Sequence, residues 1–427
     1  MRTWVRALPI AATVLLVGCS PAPAGPTRPA RPADGRLPPV MVPAPGPTRP
    51  PGCRPGSEEK ANVPVAAGRH LGPGAVRRLL LPNAPFAVVA RGSWAFASLT
   101  STVAVLHADA AGRWSLVRTL HGLPGGLRFE ALGEALTPDG RDLLVAGNNA
   151  AIVVSVARAE SGAPDPVLGT LADPYAGGAI EVAVSRDGRY AFVSMEHNAV
   201  IAVFRLYQAL TSGFGPGNLA GQIPTGLAPV GLAVSPDGKW LYATSELPPA
   251  SSLPQAVGPA AGRPYPDGSV QVMSMARAET SPATSVLAAV RAGCSPVRVA
   301  VSARGRVLWV TARGSDAVVA LSADRLRSDP RRSLLGWVRV GEAPVGLALT
   351  SDGSRLVVAD SNRFLVPGRS ASLAVIDTAA ALAGRPALLG YLPAGQFPRD
   401  VSSDGGQLLV ANNESASLET VQVADLP

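Results

Sequence analysis

The 427-residue chain has few of the residue types that usually carry chemistry: three cysteines, four histidines and only 16% charged residues. It contains no HExxH, CxxC, GxSxG or P-loop motif, which argues against zinc proteases, thiol oxidoreductases, α/β-hydrolases and nucleotide hydrolases. A haem-attachment CxxCH is missing as well. Long amphipathic helical patterns are also absent, which disfavours an all-α fold. We therefore predict no metal site and no bound cofactor.

Hydrophobic residues, glycine and proline are abundant by contrast. The chain is 47% hydrophobic and contains 45 glycines and 42 prolines. Its length exceeds the size at which a single core stops growing, so it needs either several domains or a repeat architecture. A large apolar content combined with frequent turn residues favours many short strands.

The formal net charge of +8 is concentrated near the N-terminus. Arg2 and Arg6 supply two of these charges, and residues 20–57, with five arginines against one aspartate, supply a net four more. Residues 58–427 keep a net charge of only +2. A folded part so close to neutrality lacks a general basic footprint for phosphate backbones, so we expect no nucleic-acid partner.

Residues 1–19 have the three parts of a signal peptide. Arg2 and Arg6 precede an apolar run from Ala7 to Val17, which is too short for a hydrocarbon core that needs about 20 residues. Gly18 before Cys19 resembles a bacterial lipobox, which implies that Cys19 is acylated and anchors the chain to a membrane. Ordinary secretion with a chance cysteine is the alternative. Either route predicts an extracytoplasmic protein, and the lipid anchor predicts a location in the cell envelope, in the periplasm or on the outer surface.

Residues 20–57 are rich in proline, alanine, glycine and arginine, and they predict a disordered stalk. Polyproline II rises about 3.1 Å per residue, so the stalk would reach about 100 Å. A proline-rich ligand for a partner is the alternative function of this segment. Residues 58–74 form a lead-in to the folded part.

The two cysteines outside the lipobox, Cys53 and Cys294, are an even pair in an oxidising compartment. They predict a disulfide between the base of the stalk and the domain. Two independent thiols, with Cys294 buried as a small hydrophobe, remain the alternative.

A unit of two apolar runs around a tight turn recurs seven times, as in EVAVSRDGRYAFVS and GLAVSPDGKWLYAT. Glycine accepts the positive φ of a tight hairpin, and aspartate hydrogen-bonds its own turn. A third and a fourth run follow in each unit, such as AVIAVFRLY and LAGQIPTG. Four strands per roughly 50 residues predict the blade of a β-propeller. The turns fall at Arg91, Asp139, Asp187, Asp237, Arg304, Asp352 and Asp404.

The two ends of the repeat region predict how the ring closes. The last unit stops after its third strand, SLETVQVA, whereas AVRRLLLP at residues 75–82 precedes the first unit and matches the fourth strands elsewhere. We therefore expect an all-β fold over residues 75–427, a seven-bladed propeller whose N-terminal strand completes the seventh blade. Such closure leaves no exposed sheet edge at the junction.

The repeat resembles that of the YVTN-type propellers, the YncE and lactonase-like group. The segments VSPDGKWLYAT, LWVTARGSDAVVAL and SLAVIDTAA carry the resemblance most clearly, over about residues 75–427. It implies a propeller fold. It does not specify one function, because this fold hosts binding modules, lactonases and cofactor enzymes.

A ligand site in a propeller is expected on the loops that surround one end of the channel. Two of these loops, residues 246–267 and 360–371, are long, which is typical of functional loops. Asparagines are also ordinary turn formers, so a structural role is the alternative for each of them. The candidate ligand-face residues are Asn149, Asn198, Glu246, Asn362 and Asn413.

Catalysis would need a sharper group. His121, Glu196 and His197 are candidates for a general base, and Arg313 is a candidate for stabilising an oxyanion, as opening of a lactone would require. No spacing in the sequence enforces their proximity. Glu134 and Glu181 fall at the start of innermost strands, where a solvated channel lining is the alternative to a metal site.

The sequence leaves three functional hypotheses. The first is a membrane-tethered binding or scaffold propeller that holds a small ligand or a protein partner on its loop face. The second is a lactonase-like hydrolase, which requires the four catalytic candidates to share a pocket. The third is an accessory to a periplasmic redox system.

Overall fold

The computed structural model describes residues 69–71, 76–123, 132–249, 267–363, 365 and 368–427. The described strands form seven four-stranded antiparallel sheets, which confirms the seven-bladed β-propeller. In blades 1–6 the four strands follow the order of the sequence from the channel outwards. The first three strands of blade 7 do the same, and its outermost strand comes from the N-terminal side of the repeats.

The strands of the first four blades are short and regular. Blade 1 contains β2 (Pro85–Arg91), β3 (Trp94–Leu99), β4 (Thr102–Ala108) and β5 (Trp114–Leu120). Blade 2 contains β6 (Glu134–Leu136), β7 (Asp142–Gly147), β8 (Ala150–Ser155) and β9 (Val167–Ala172). Blade 3 contains β10 (Ala179–Val184), β11 (Tyr190–Met195), β12 (Val200–Arg205) and β13 (Leu219–Pro224). Blade 4 contains β14 (Pro229–Val234), β15 (Trp240–Ser245), β16 (Ser269–Ser274) and β17 (Val286–Arg291).

The last three blades follow the same plan. Blade 5 contains β18 (Pro296–Val301), β19 (Val307–Ala312), β20 (Ala317–Ser322) and β21 (Leu334–Arg339). Blade 6 contains β22 (Pro344–Leu349), β23 (Arg355–Asp360), β24 (Ser372–Asp377) and β25 (Leu388–Pro393). Blade 7 contains β26 (Pro398–Ser403), β27 (Gln407–Asn412), β28 (Ser417–Gln422) and β1 (Val76–Leu80).

The predicted closure of the ring is confirmed. Strand β1 pairs antiparallel with β28, with Val76 opposite Val421 and Leu80 opposite Ser417. Arg78 reinforces this pairing, because its Nε donates to the carboxylate of Glu419 at 2.8 Å. The first and last described strands therefore share one sheet, and β28 has a strand partner on both sides.

The predicted hairpin turns join the first and second strands of the blades. In blade 4 the Ser235 hydroxyl donates to Asp237 at 2.5 Å, while the backbone N–H of Trp240 donates to the same hydroxyl at 3.0 Å. Gly238 follows with φ +71°. The hydrogen bond from Thr350 and that from Ser354 lower the pKa of Asp352 to about 2. The equivalent hydroxyl–carboxylate pairs are Thr137 with Asp139, Ser185 with Asp187, and Thr350 with Asp352.

Small and charged residues alternate at the third position of the innermost strands. A Cβ at Gly231 would meet the carbonyl oxygen of Val297, and one at Gly346 would lie 2.7 Å from the Cα of Asp400. Glycine thus lets neighbouring inner strands approach closely. The charged members of this layer are Glu181, Arg298 and Asp400, on blades 3, 5 and 7.

Five short helices follow third strands, a feature that the alternating pattern did not predict. Each of the five buries its first residue and the residue three positions later, as do Val156 and Ala159 in α1, so the burial pattern changes from the strand period to a helical one. The helices are α1 (Val156–Ser161), α2 (Leu206–Ser212), α3 (Met275–Thr280), α4 (Ala323–Ser328) and α5 (Thr378–Leu382). Within the described ranges, no helix is both long and apolar enough to span a bilayer.

Candidate functional site

One end of the channel is built on a repeated backbone contact. In blade 4 the N–H of Glu246, just after the second strand, donates to the carbonyl of Ala228 at 3.0 Å, and the next N–H, of Leu247, donates to Leu227 at 3.2 Å. The same pair of bonds joins the second-to-third-strand loop to the inter-blade loop in blades 3, 5, 6 and 7. The first residue after each of these second strands therefore has an equivalent placement. These residues are Glu196, Glu246, Arg313, Ser361 and Asn413.

A pocket of about 320 Å³ lies at this end, which we call the mouth. The loops between second and third strands and the loops between blades both reach this end. The pocket therefore lies on the loop face where the sequence analysis expects a ligand site. The lining residues are Ile180, Glu196, Val230, Glu246, Val297, Arg313, Val345, Arg363, Phe397 and Arg399.

An apolar wall forms one part of the pocket. Val230, Val297 and Val345 are the second residues of three consecutive inner strands, and they pack as one buried cluster against Ile180. Hydroxyls of the preceding blades hold the backbone of this wall. The Thr311 hydroxyl, for example, donates to the carbonyl of Val345 at 2.8 Å.

An arginine replaces the valine at the same position of blade 7. The guanidinium carbon of Arg399 lies 3.9 Å from the ring centroid of Phe86 and 5.0 Å from that of Phe397. Arg399 makes no hydrogen bond or ion pair with any residue that the structure describes, and its Nε is fully buried without a partner. Burial, followed by repulsion from Arg298, lowers the pKa of Arg399 to about 9, so the guanidinium stays charged at neutral pH.

Phe397 has an unusual backbone conformation for its size. Its φ is +54°, in the left-handed region where bulky residues are uncommon. Residues held there cost about 1–3 kcal/mol and are concentrated at functional sites. The equivalent residues of the preceding blades are all small: Gly178, Ala228, Ser295 and Ala343, with φ between +45° and +71°.

Ion pairs hold two of the rim residues and the long loop of blade 6. Arg313 contacts the carboxylate of Glu246 at 3.0 Å, and both side chains are mostly buried. Arg369 contacts Glu342 at 3.1 Å and so fixes one end of the loop that carries Arg363. The guanidinium carbon of Arg363 lies 5.8 Å from the Phe397 ring.

Charged side chains also fill the inner-strand layer next to the wall. Arg298 pairs with Glu181 across Gly231, and a carboxylate oxygen of Asp400 accepts the N–H of Val88 at 3.0 Å. Burial and repulsion from Asp400 raise the pKa of Glu134 well above its usual range. No set of three histidine, cysteine, aspartate or glutamate side chains within the described residues is arranged to hold a metal ion.

The four catalytic candidates are only partly brought together. Glu196 and Arg313 line the pocket. His121 follows β5 and is exposed, and His197 is exposed with its ring against Gly178; neither histidine is among the lining residues. The pocket thus contains the carboxylate and the arginine without an imidazole.

The asparagine candidates hold loops. Asn149 donates to the carbonyl of Asp173 at 3.0 Å, and Asn198 accepts the N–H of Gly177 at 2.8 Å. The side chains of Asn362 and Asn413 each donate to a backbone carbonyl, of Arg369 and of Pro85, at 3.0 Å. Among the five ligand-face candidates, Glu246 is the one that lines the pocket.

The sequence-based prediction missed Arg363, Phe397 and Arg399. A signal for two of them exists in the inter-blade segments, where GLAPVG, GCSPVR and GEAPVG share a small residue before proline and valine after it. Blade 7 has GQFPRD instead, so Phe397 and Arg399 are the substitutions that break the repeat. A departure from an otherwise regular repeat marks a position that the fold does not dictate.

Cys294 is disulfide-bonded. It lies in the inter-blade loop beside Arg313, and its N–H donates to Ser315 at 2.9 Å. The predicted partner Cys53 and the lipidation candidate Cys19 lie outside the described residues, as does most of the 246–267 loop. The pairing of Cys53 with Cys294 stays a prediction.

The chain matches no family model and no curated protein sequence. It is similar in structure to a chain of the mitotic checkpoint complex, with a TM-score of 0.61 at 14% identity, covering 91% of this chain and 99% of that one. It is also similar to a chain of hydrazine synthase from Kuenenia stuttgartiensis, with a TM-score of 0.57 at 18% identity, covering 81% and 96%. Likeness at such low identity supports the propeller fold alone.

Proposed function

We propose that this protein is a membrane-tethered, extracytoplasmic binding propeller and that the mouth pocket is its ligand site. The observation that carries the proposal is Arg399, a charged side chain held between two phenylalanines without a hydrogen-bond partner among the described residues. A guanidinium has five N–H donors, and a partly buried one without protein acceptors is suited to a ligand. The strained Phe397 beside it supports the same site.

Binding accounts for this pocket better than lactone hydrolysis does. Opening a lactone needs a base that activates water and a cation that stabilises the oxyanion. Glu196 and Arg313 are the remaining candidates for these roles, but Arg313 is engaged by Glu246 and the histidines lie outside the pocket lining. The redox-accessory hypothesis has no observation in its favour.

A thermal-shift screen of a metabolite library against the purified full chain in mild detergent tests the binding site. We expect at least one compound to raise Tm in the wild type and to lose this effect in Phe397→Asn. Arg186→Met, on an exposed turn at the other end of blade 3, is the control and should keep the effect. A shift that persists in Phe397→Asn, or the absence of any shift in the wild type, contradicts the proposal.

The tether is tested separately. Cys19→Ser should abolish incorporation of labelled palmitate and move the protein from the membrane fraction to the soluble fraction, because the acyl chains would be its anchor. Cys53→Ser is the matched control and should leave fractionation unchanged. Membrane retention of Cys19→Ser would contradict lipid anchoring and leave the pocket proposal unaffected.

A further inference from the structure

We propose that the ligand of the mouth pocket is a monoanionic carboxylate with a compact apolar body. This inference rests on the proposed binding function and names the chemical class of the ligand. Its carboxylate would bind Arg399, and its apolar body would lie against the wall of Ile180, Val230, Val297 and Val345.

The charge of the lining favours a single negative charge. Three arginines and two glutamates are among the described residues that line the pocket, and together they carry a net of one positive charge. Arg313 is already engaged by Glu246, so the arginine that lacks an acceptor among the described residues is Arg399. A ligand with one negative charge would complete the balance, whereas a second charge would face Glu196 or Glu246 on the rim.

The geometry around Arg399 favours a planar anion. The two phenylalanine rings restrict the guanidinium, and a restricted planar fork of N–H groups matches the two oxygens of a carboxylate. The rings also keep water from part of the cation, which strengthens a charge-assisted hydrogen bond. A lysine at this position would offer the charge without the fork.

The remaining lining favours an apolar body of limited size. Four branched aliphatic side chains occupy equivalent positions on blades 3–6, and three of them are at least 93% buried. A volume of about 320 Å³ is near the lower end of the range for small-molecule sites, about 300–1,000 Å³. Inorganic phosphate would satisfy the cation but would make no apolar contact with this wall.

Isothermal titration of the full chain with phenylacetate, phenylacetamide, acetate and inorganic phosphate tests each part of the inference. Phenylacetate should bind about 10- to 100-fold tighter than phenylacetamide, the range expected for a hydrogen bond to a charged group. Acetate and phosphate should bind more weakly than phenylacetate, since neither has a body large and apolar enough to pack against the wall. Arg399→Met, which keeps much of the side-chain volume between the two rings, should remove the preference for the carboxylate. Arg186→Met removes the same charge on the exposed turn of blade 3, at the opposite end of the propeller, and should keep this preference.

Each contrary result has a separate meaning. Equal binding of phenylacetamide and phenylacetate, abolished for both by Phe397→Asn, would overturn the anionic class and keep the pocket as the binding site. Tighter binding of phosphate than of phenylacetate would overturn the apolar body. If none of the four probes binds, the ligand class is wrong, and the library screen then decides whether the binding function fails with it.

Discussion

The two ends of the propeller are built on equally regular backbones but differ in their side chains. At the turn end, a hydroxyl–aspartate pair recurs in blades 2, 3, 4 and 6, and each pair satisfies the polar groups of its own hairpin. At the mouth, five blades share the same pair of backbone hydrogen bonds, yet the residue that follows the second strand is a glutamate, an arginine, a serine or an asparagine. We expect the uniform side chains of the turn end to serve the fold, and the varied side chains at the mouth to serve the proposed binding function.

The largest expected effect is on stability, at the turn end. Gly353→Val should lower the free energy of unfolding by about 2–3 kcal/mol, because φ is +71° there and a β-branched side chain is strained in that region. No neighbouring atom lies within 4 Å of an added Cβ, so the cost comes from the backbone alone. Urea unfolding measures the loss, and the Tm increment caused by a mouth ligand should not change. A smaller ligand-induced Tm increment in Gly353→Val would show that the turn end and the mouth are not independent.

A second substitution at the turn end tests its hydrogen bonds. Ser235→Ala removes both the bond to Asp237 and the acceptor for the Trp240 N–H, and we expect a loss of about 1–2 kcal/mol. Ser235→Thr is the control, since threonine occupies the equivalent position in blades 2 and 6, and it should cost less than half as much. Equal losses for alanine and threonine would show that the hydroxyl is not what stabilises the turn.

At the mouth the expected effect on stability is smaller, because a gain and a loss of stability offset each other. Phe397→Asn should change the free energy of unfolding by less than about 1 kcal/mol, because relief of the left-handed strain offsets the lost contact with Arg399. In urea unfolding, Phe397→Asn should therefore be more stable than Ser235→Ala. The Tm shift caused by a ligand should show the reverse order, since Ser235→Ala should keep this shift and Phe397→Asn should lose it. A destabilisation of Phe397→Asn beyond 2 kcal/mol would assign the residue to the fold instead of to recognition.

The smallest effect is expected at acid pH. Hydrogen bonding lowers the pKa of Asp139, Asp237 and Asp352 below the ordinary 3.8. A lowered pKa in the folded state means that these groups add stability above about pH 4, which is lost as the pH falls towards 2. The triple variant Asp139→Asn, Asp237→Asn and Asp352→Asn should therefore lose less stability than the wild type between pH 4 and pH 2. Urea unfolding at several pH values measures this difference. If the free energy of unfolding falls equally in the wild type and in the triple variant between pH 4 and pH 2, these carboxylates do not contribute.

The sequence predicted the fold well because every blade repeats the same local signals. The Asp-Gly turns, the alternating runs and the displaced segment 75–82 are each determined within about ten residues of sequence, and the structure confirms the ring that they imply. The short helices after third strands were missed because VARAE and LYQAL bury residues at a helical spacing that is too brief to stand out beside a strand.

The pocket was harder to predict than the fold. Glu196, Glu246 and Arg313 were chosen for residue type and loop position, and they do line the pocket. Arg399 was missed because it lies within an inner strand, where an arginine is not expected, and its aromatic partners come from positions more than 300 residues apart in sequence, Phe86 and Phe397. Only the folded ring brings these two residues together.

The closing strand determines which part of the ring would bear a mechanical load. The chain that precedes β1 leads back towards the predicted anchor, and residues 69–71 on this path already pair with β25 of blade 6 through a bridge between His70 and Tyr391. A pull on that anchor would therefore act first on this bridge and then on the pairing of β1 with β28. A covalent link from Cys53 to Cys294, if formed as predicted, would transfer this force to the inter-blade loop before blade 5 instead. The disulfide would then shield both contacts from the load, and its reduction would leave the bridge from His70 to blade 6, and after it the closing strand, to bear the force.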